Sequence, residues 1–150
     1  MASPSLEALD GLHQLLDISR ENGVETGVCT TSFEDDKLFI RITDVRSTWE
    51  AGLEIKDLRK HVEDCGMKGL DDELLLEKMS SAILSPGSLT LRLSSSGPNL
   101  LMVRHRISSV VLEGSIEFGP PVNDCENVVL GMMKAIVNKR GNGSFDDEGK

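Results

Sequence analysis

The sequence contains no tyrosine, a single tryptophan and only 3% aromatic residues among its 150. Trp49 is therefore the largest apolar side chain available to the fold, and we expect it to anchor the core. No apolar run approaches the ~20 residues that a membrane-spanning helix needs, and the N-terminus lacks the basic-then-apolar order of a secretory signal. These absences predict a soluble, intracellular protein without membrane contact, and the length predicts a single folded domain.

Positive charge is also scarce, because 16 basic residues face 25 acidic ones and the formal net charge is -9. A chain this acidic repels a polyanion on average, so non-specific coating of nucleic-acid phosphates is disfavoured. Any contact with DNA has to be local or made through a partner.

Cysteine and histidine are too few and too dispersed for a disulfide framework or a usual zinc motif. The six residues are Cys29, Cys65 and Cys125, and His13, His61 and His105. An odd number of distant cysteines favours a reducing compartment and buried thiols. Since no histidine has the customary spacing from a cysteine, we expect no metal and no cofactor.

Nothing in the sequence predicts an enzyme. The acidic pair Asp35-Asp36 lies in a predicted turn, and Asp71-Asp72 lies at a predicted helix start, where solvation and the helix dipole account for both. No glycine-rich loop ends in Gly-Lys-Ser or Gly-Lys-Thr, which argues against P-loop nucleotide hydrolysis. We therefore expect neither catalytic residues nor a small-molecule substrate.

Apolar periodicity predicts the order of elements. Leucines close to helical spacing predict a first helix over residues 5–20, and alternation predicts strands over 24–33 and 37–43. Two helices follow, over 55–65 and 71–84. A hairpin over 89–107, a strand over 110–118 and a final helix complete the order.

The final helix carries apolar residues at spacings of three, four, three and four, the a/d pattern of a coiled-coil dimer seam. These residues are Val122, Cys125, Val129, Met132 and Ile136. A single helix docked on its own domain fits the same pattern. Gly141 and the residues after it predict the end of the helix and a disordered tail.

Thr43 and Asp44, followed after four residues by Trp49, resemble the head-domain motif of the non-homologous end-joining scaffolds, the superfamily of PAXX, XLF and the ligase IV scaffold. The position of the motif, at a strand end before a helical insertion, carries more weight than the letters. The similarity is greatest to PAXX-like heads and covers residues 24–139.

This resemblance implies an α+β fold in which an antiparallel β-sandwich head contains an inserted helix-turn-helix and precedes a short coiled-coil helix. The residue patterns and the resemblance together predict an N-terminal helix (1–23), a head (24–119), a stalk (120–140) and a disordered tail (141–150). The N-terminal helix is extra to the family's plan, which usually begins with a strand. The implied function is a non-enzymatic scaffold of DNA double-strand break repair in the nucleus. It would act as a weak homodimer with Ku-bound DNA ends and other end-joining scaffolds.

Two groups of residues are candidates for these contacts. Lys56, Arg59 and Lys60 on the first inserted helix are a candidate DNA or partner surface, although a solvated face explains them too. In the tail, a basic pair followed by an aromatic residue resembles peptides by which end-joining factors hold Ku. Its residues are Lys139, Arg140 and Phe145.

A second function remains open from the sequence. The cartwheel protein of centrioles has a similar plan, a head followed by a coiled coil, so a centriolar or cytoskeletal assembly module is the alternative to the repair scaffold. Recruitment to DNA breaks favours the first function, whereas rings or filaments of purified protein favour the second.

Overall fold

The structure, a computed structural model, describes residues 5–44, 46–122 and 125–140. A short 3-10 helix at Leu6–Leu9 precedes the first strand. The strands are β1 (His13–Arg20), β2 (Gly23–Glu34), β3 (Lys37–Thr43), β4 (Thr48–Leu53), β5 (Leu89–Arg92), β6 (Asn99–Ile107) and β7 (Val110–Phe118). The helices are α1 (Ile55–Asp64) and α2 (Asp72–Leu84), between β4 and β5, and α3 (Cys125–Arg140) after β7.

The seven strands form one sheet in the order β4-β3-β2-β1-β5-β6-β7. All neighbours are antiparallel except β1 and β5, which are parallel because the chain crosses back through the helical pair before β5 begins. The sheet curls until its two edge strands, β4 and β7, contact each other. The predicted α+β class is thus confirmed, but the described residues form a single curled sheet in place of the expected pair of packed sheets.

The predicted N-terminal helix is wrong. The described part of that segment is the short 3-10 helix followed by β1, which pairs with β2 on one side and β5 on the other. The leucine spacing misled because Leu6 and Leu9 belong to the 3-10 turn, whereas Leu16 and Ile18 alternate with exposed neighbours along a strand. β1 is a central strand, so the head begins well before residue 24.

The predicted strands β2 and β3 and both inserted helices are confirmed, as are the β5–β6 hairpin and β7. One strand was missed. After Asp44 the chain does not enter the helical insertion but turns back to form β4, in which Trp49 pairs with Ile42 of β3. Trp49 and Ala51 alternate inward, the period expected for a strand with one buried face.

The helical pair covers the core. Asp71 accepts a hydrogen bond from the Leu74 N–H at 2.8 Å and so caps α2, as its position in the sequence predicts. Leu58 and Val62 of α1 and Met79 of α2 are among the fully buried side chains that join the two helices to the sheet. Among the described helices, none combines the length and the apolar character that crossing a bilayer requires.

Candidate functional site

Thr43, Asp44 and Trp49, the residues of the predicted motif, lie around the turn between β3 and β4. Asp44 holds that turn, because its Oδ1 accepts hydrogen bonds from the backbone N–H of Arg46 at 2.9 Å and of Ser47 at 2.8 Å. The Thr43 hydroxyl donates to the Ser47 carbonyl at 2.9 Å. The short Asp and Thr side chains therefore satisfy backbone groups that the tight turn leaves without a ladder partner.

Arg20 of β1 links Asp44 to Trp49. One guanidinium nitrogen lies 2.6 Å from Asp44 Oδ2, and the guanidinium carbon lies 5.8 Å from the centroid of the indole. Trp49 is only 2% exposed, so the cation contacts the rim of the core. The contacts of the motif make it a structural junction of β1, β3 and β4.

Each cation of the candidate DNA surface on α1 lies beside a carboxylate. Lys56 lies 3.3 Å from Glu54, and Lys60 lies 3.3 Å from Asp64. Arg59 pairs with Asp72 of α2 and donates to the Leu70 carbonyl at 2.7 Å, so it fastens the two helices together. These ion pairs reduce the positive charge that this face presents, and its contact with DNA or a partner stays a prediction.

The basic run on β6 is divided by the pleat of the strand. Arg104 is exposed and pairs with Glu113 of β7 at 3.0 Å, and Arg106 is exposed as well. His105, between them, points inward and is buried. Because its side chain points inward, His105 belongs to a cluster that the sequence did not predict.

The cluster consists of His61 of α1, Cys65 at the C-terminal cap of that helix and His105 of β6, all buried, with their potential ligand atoms within 4.8 Å of one another. His61 Nε2 lies 2.9 Å from His105 Nε2 and 3.7 Å from Cys65 Sγ. The expectation that the histidines and cysteines are too dispersed to meet is therefore wrong for these three. The usable signal was the spacing of four between His61 and Cys65, which places both on one face of a helix.

Burial keeps the cluster uncharged. It lowers the pKa of His61. Burial, together with the repulsion between two protonated rings, lowers the pKa of His105 to about 4. Burial and the nearby carboxylates of Asp64 and Glu113 raise the pKa of the Cys65 thiol. In the absence of a metal ion, the two imidazoles are thus neutral at physiological pH and share a hydrogen bond.

The other cysteines differ. Cys29 of β2 is fully buried in the apolar core, and its burial raises its pKa to about 12, so it is an inert thiol as expected. The side chain of Cys125 lies outside the described residues.

The described side chains of the predicted dimer seam are buried or half-buried in this chain. Met132 of α3 is 4% exposed, Val129 and Ile136 are half-buried, and α3 contacts β4. The backbone N–H of Val122, ahead of the helix, donates to the Thr48 carbonyl of β4 at 2.7 Å. This arrangement matches the other interpretation of the pattern, a helix docked on its own head.

A second apolar stripe on α3 is exposed. Each of its residues follows directly after a residue of the docked stripe, which consists of Val129, Met132 and Ile136. Leu130 is 49% exposed, Met133 58% and Val137 65%. One residue corresponds to a rotation of about 100° around the helix, so the exposed stripe lies on the adjacent face. Sequence spacing alone does not separate the two stripes, because both have the same three-four period.

The candidate Ku-binding tail is not part of the site geometry. Phe145 and the side chains of Lys139 and Arg140 lie outside the described residues.

The acidic pairs take structural positions, since Asp35 and Asp36 form the β2–β3 turn with positive φ of 51° and 64°. Asp71 caps α2, and Asp72 pairs with Arg59.

No protein-family model matches the sequence, and a search of the curated proteins finds no match either. Solved structures do share the fold. An N-terminal fragment of Leishmania SAS-6 containing parts of its coiled coil, as an F257E mutant, is similar with a TM-score of 0.57 at 13% identity, over 92% of this chain and 88% of that one. The head domain of human CCDC61 is similar with a TM-score of 0.51 at 12% identity, over 74% of this chain and 97% of that one.

These comparisons overturn the resemblance to the end-joining scaffolds. The similar structures are SAS-6 and CCDC61 head domains, and nothing in them supports DNA repair, a nuclear location, Ku or DNA ends as partners. The motif Thr43, Asp44 and Trp49 serves a strand junction here, so these residues alone did not identify the end-joining scaffolds.

Proposed function

We propose that this chain is a non-enzymatic, self-assembling scaffold module of the centriolar type, the alternative that the sequence left open. The observation that carries the proposal is the likeness of fold to the SAS-6 fragment, which extends over most of both chains. That fragment contains parts of a coiled coil, and here too a helix follows the last strand of the head. The cellular site that this proposal implies is the centriole or centrosome.

The proposed assembly contact is α3 against α3 of a second copy. Its exposed stripe of Leu130, Met133 and Val137 has the spacing of a two-helix seam, and exposed apolar residues in a row favour association. A helix of 16 residues is marginal on its own, but the buried Met132 fixes α3 to the head. Two heads would thus present preformed helices side by side and pair as a weak homodimer.

The non-enzymatic part of the proposal rests on the same geometry. Carboxylates that might serve as acid or base are engaged in turns, caps and ion pairs, as described above for Asp44, Asp71 and Asp72. An assembly module needs surfaces and not reacting groups, so this distribution of charge suits it.

Light scattering coupled to size exclusion, run over a range of protein concentrations, tests the contact. We expect the parent to shift from monomer to dimer as concentration rises. The double substitution Leu130→Asp with Met133→Asp should keep the protein monomeric, because it places charge in the seam. Lys134→Asp is the matched control on an exposed position of the same helix, and it should still dimerise. A parent that stays monomeric at every concentration contradicts the α3 seam.

A fluorescent fusion in dividing cells that build centrioles tests the site of action. We expect foci that coincide with a centriole marker and persist after the DNA is damaged. A diffuse signal with no centriolar foci contradicts the proposed function, even if the purified protein dimerises. Electron microscopy of concentrated protein should in addition show rings or filaments if the assembly continues beyond the dimer.

A further inference from the structure

We propose that His61, Cys65 and His105 form a buried site for a single divalent transition-metal ion of the Zn²⁺ type. The ligands are Nε2 of both imidazoles and Sγ of the thiolate. Imidazole nitrogen and thiolate sulfur are the donors that Zn²⁺ prefers in proteins, and one cysteine with two histidines is a ligand set that supports tetrahedral coordination. This proposal is independent of the proposed assembly function.

Two of the three separations between ligand atoms fit such an ion with small movements, and the third lies within 4.8 Å. Around a tetrahedral zinc, two imidazole nitrogens lie about 3.3 Å apart, and a nitrogen and a thiolate sulfur lie about 3.5 Å apart, from the usual bond lengths. The corresponding separations here are 2.9 Å between the two Nε2 atoms and 3.7 Å between His61 Nε2 and Cys65 Sγ. The adjustment needed at the nitrogen pair is therefore a few tenths of an ångström.

The scaffold places the ligands on two rigid elements. Cys65 caps the C-terminus of α1 with helical φ and ψ, so it shares a face with His61, four residues before it, and β6 supplies His105. Gly114 of β7 forms the floor. A Cβ at that position would overlap Cys65 Sγ and come within 3.1 Å of the His61 ring, so the cluster occupies space that only glycine leaves free.

The surroundings suit a cation. Asp64 and Glu113 are near enough to raise the pKa of Cys65, and the same negative potential favours a bound dication. A groove of about 310 Å³ runs between α1, β4 and β7 and is lined by His61, Asp57, Asp64 and Ser115 among others. Of the three cluster residues, His61 lines this groove, so the groove reaches the His61 side of the cluster and is the approach for an ion.

The two histidines also have nitrogens in need of partners. Nδ1 of His61 and Nδ1 of His105 are buried and make no hydrogen bond of regular geometry within the described residues. Backbone groups of Ser115 and Lys78 lie beside these rings, close enough to raise their pKa values. Ligating histidines characteristically donate their second N–H to a backbone carbonyl, which is what small rotations of these rings would achieve.

The protons balance as follows. Without metal, one Nε2–H donates to the other Nε2 across the 2.9 Å contact. On binding, both Nε2 atoms give their lone pairs to the ion, so each neutral ring carries its proton on Nδ1. Cys65 loses its thiol proton to solvent, and one proton is released for each ion bound.

Co²⁺ titration of the purified, chelator-treated chain at neutral pH tests the site, because cobalt reports its ligands by absorption. We expect one equivalent to bind, with a thiolate-to-cobalt charge-transfer band in the near ultraviolet and the intense visible bands of tetrahedral coordination. Zn²⁺ added afterwards should displace the cobalt and remove both signals. This measurement uses the parent protein, so it does not depend on whether a variant folds.

Variants then assign the ligands. Cys65→Ser should remove the charge-transfer band, and His105→Gln should weaken cobalt binding by at least ~100-fold, since it deletes a direct ligand. His13→Gln, on β1 and outside the cluster, is the matched control and should bind as the parent does. Absence of a stoichiometric cobalt spectrum in the parent would overturn the proposal and leave a metal-free pair of hydrogen-bonded histidines. A charge-transfer band that survives in Cys65→Ser would overturn the assignment as well.

Discussion

Replacing Asp44 with alanine is the substitution whose effect the structure defines best. The carboxylate is almost completely buried, with 5% of the side chain exposed, and it serves two purposes at once. Its Oδ1 accepts the N–H groups of Arg46 and Ser47, and its Oδ2 pairs with Arg20 at 2.6 Å. Asp44→Ala removes all three contacts and leaves the turn donors and the guanidinium without this partner.

The expected loss follows from these contacts. A hydrogen bond to a charged group contributes about 1.5–3 kcal/mol, but two that share one acceptor oxygen do not add fully. The ion pair adds little, because the Arg20 side chain is 33% exposed and retains Glu25 at 3.6 Å. We therefore expect Asp44→Ala to lower the free energy of unfolding by about 2–3 kcal/mol. Asp44→Asn keeps an acceptor oxygen for the turn and should cost about 1 kcal/mol.

Urea unfolding followed by the fluorescence of Trp49, the only tryptophan, measures these changes directly. Asp17→Ala, at an exposed position of β1, is the control and should stay within about 0.5 kcal/mol of the parent. If Asp44→Ala proved no more destabilising than Asp17→Ala, the reasoning that this carboxylate holds the β3–β4 junction would be refuted. Equal losses for the Ala and Asn variants would instead show that the charge, and not the turn, dominates.

Three further outcomes are expected. Without metal, the folded state holds the pKa of His105 at about 4, against an ordinary 6.5. The stability that is present above pH 6.5 should therefore decrease as the pH falls towards 4, by about 3 kcal/mol at most. Urea midpoints measured across this pH range check the decrease, and a flat profile would contradict it. Gly27→Ala should destabilise the fold by about 1–3 kcal/mol, because a Cβ there would overlap Ile18 and come 2.8 Å from the Thr43 carbonyl oxygen. Gly131→Ala on α3 meets nothing within 4 Å and should stabilise the fold by up to about 1 kcal/mol. Thermal melts compare the two variants, and equal Tm shifts would be inconsistent with this packing. Iodide should quench native Trp49 several-fold less than the unfolded chain, since the indole is 2% exposed; equal quenching in both states would show that it is not buried.

Much of the fold could be predicted from local patterns. Leu38, Ile40 and Ile42 alternate with less buried residues and form β3, and Leu75, Leu76, Met79 and Ile83 lie on the buried side of α2 as the sequence indicates. Apolar periodicity predicts these segments correctly because one face of each element packs on the core and the other faces solvent. It failed over residues 5–20, where leucines of a 3-10 turn and of a central strand happened to imitate a helical stripe.

The candidate sites were harder to predict, because they depend on contacts between distant segments. The pairing of Arg59 with Asp72 places a carboxylate of α2 beside a basic residue that looked unpaired in the sequence. The docking of α3 on β4 decides which of two equally spaced stripes, that of Met132 or that of Met133, remains exposed. Neither outcome is contained in the local pattern of residues.

What the sequence determined by itself was therefore the α+β class, the order of elements after residue 23 except for β4, and the burial of the lone indole, since alternation and spacing report on the side of an element that faces the core. Only the tertiary structure decided that the seven strands close into one curled sheet, and that His105, 40 residues and more from its neighbours in the chain, meets the helical pair of His61 and Cys65. Strand order and the meeting of remote side chains are set by how the elements pack in three dimensions, and no local repeat along the chain records that choice.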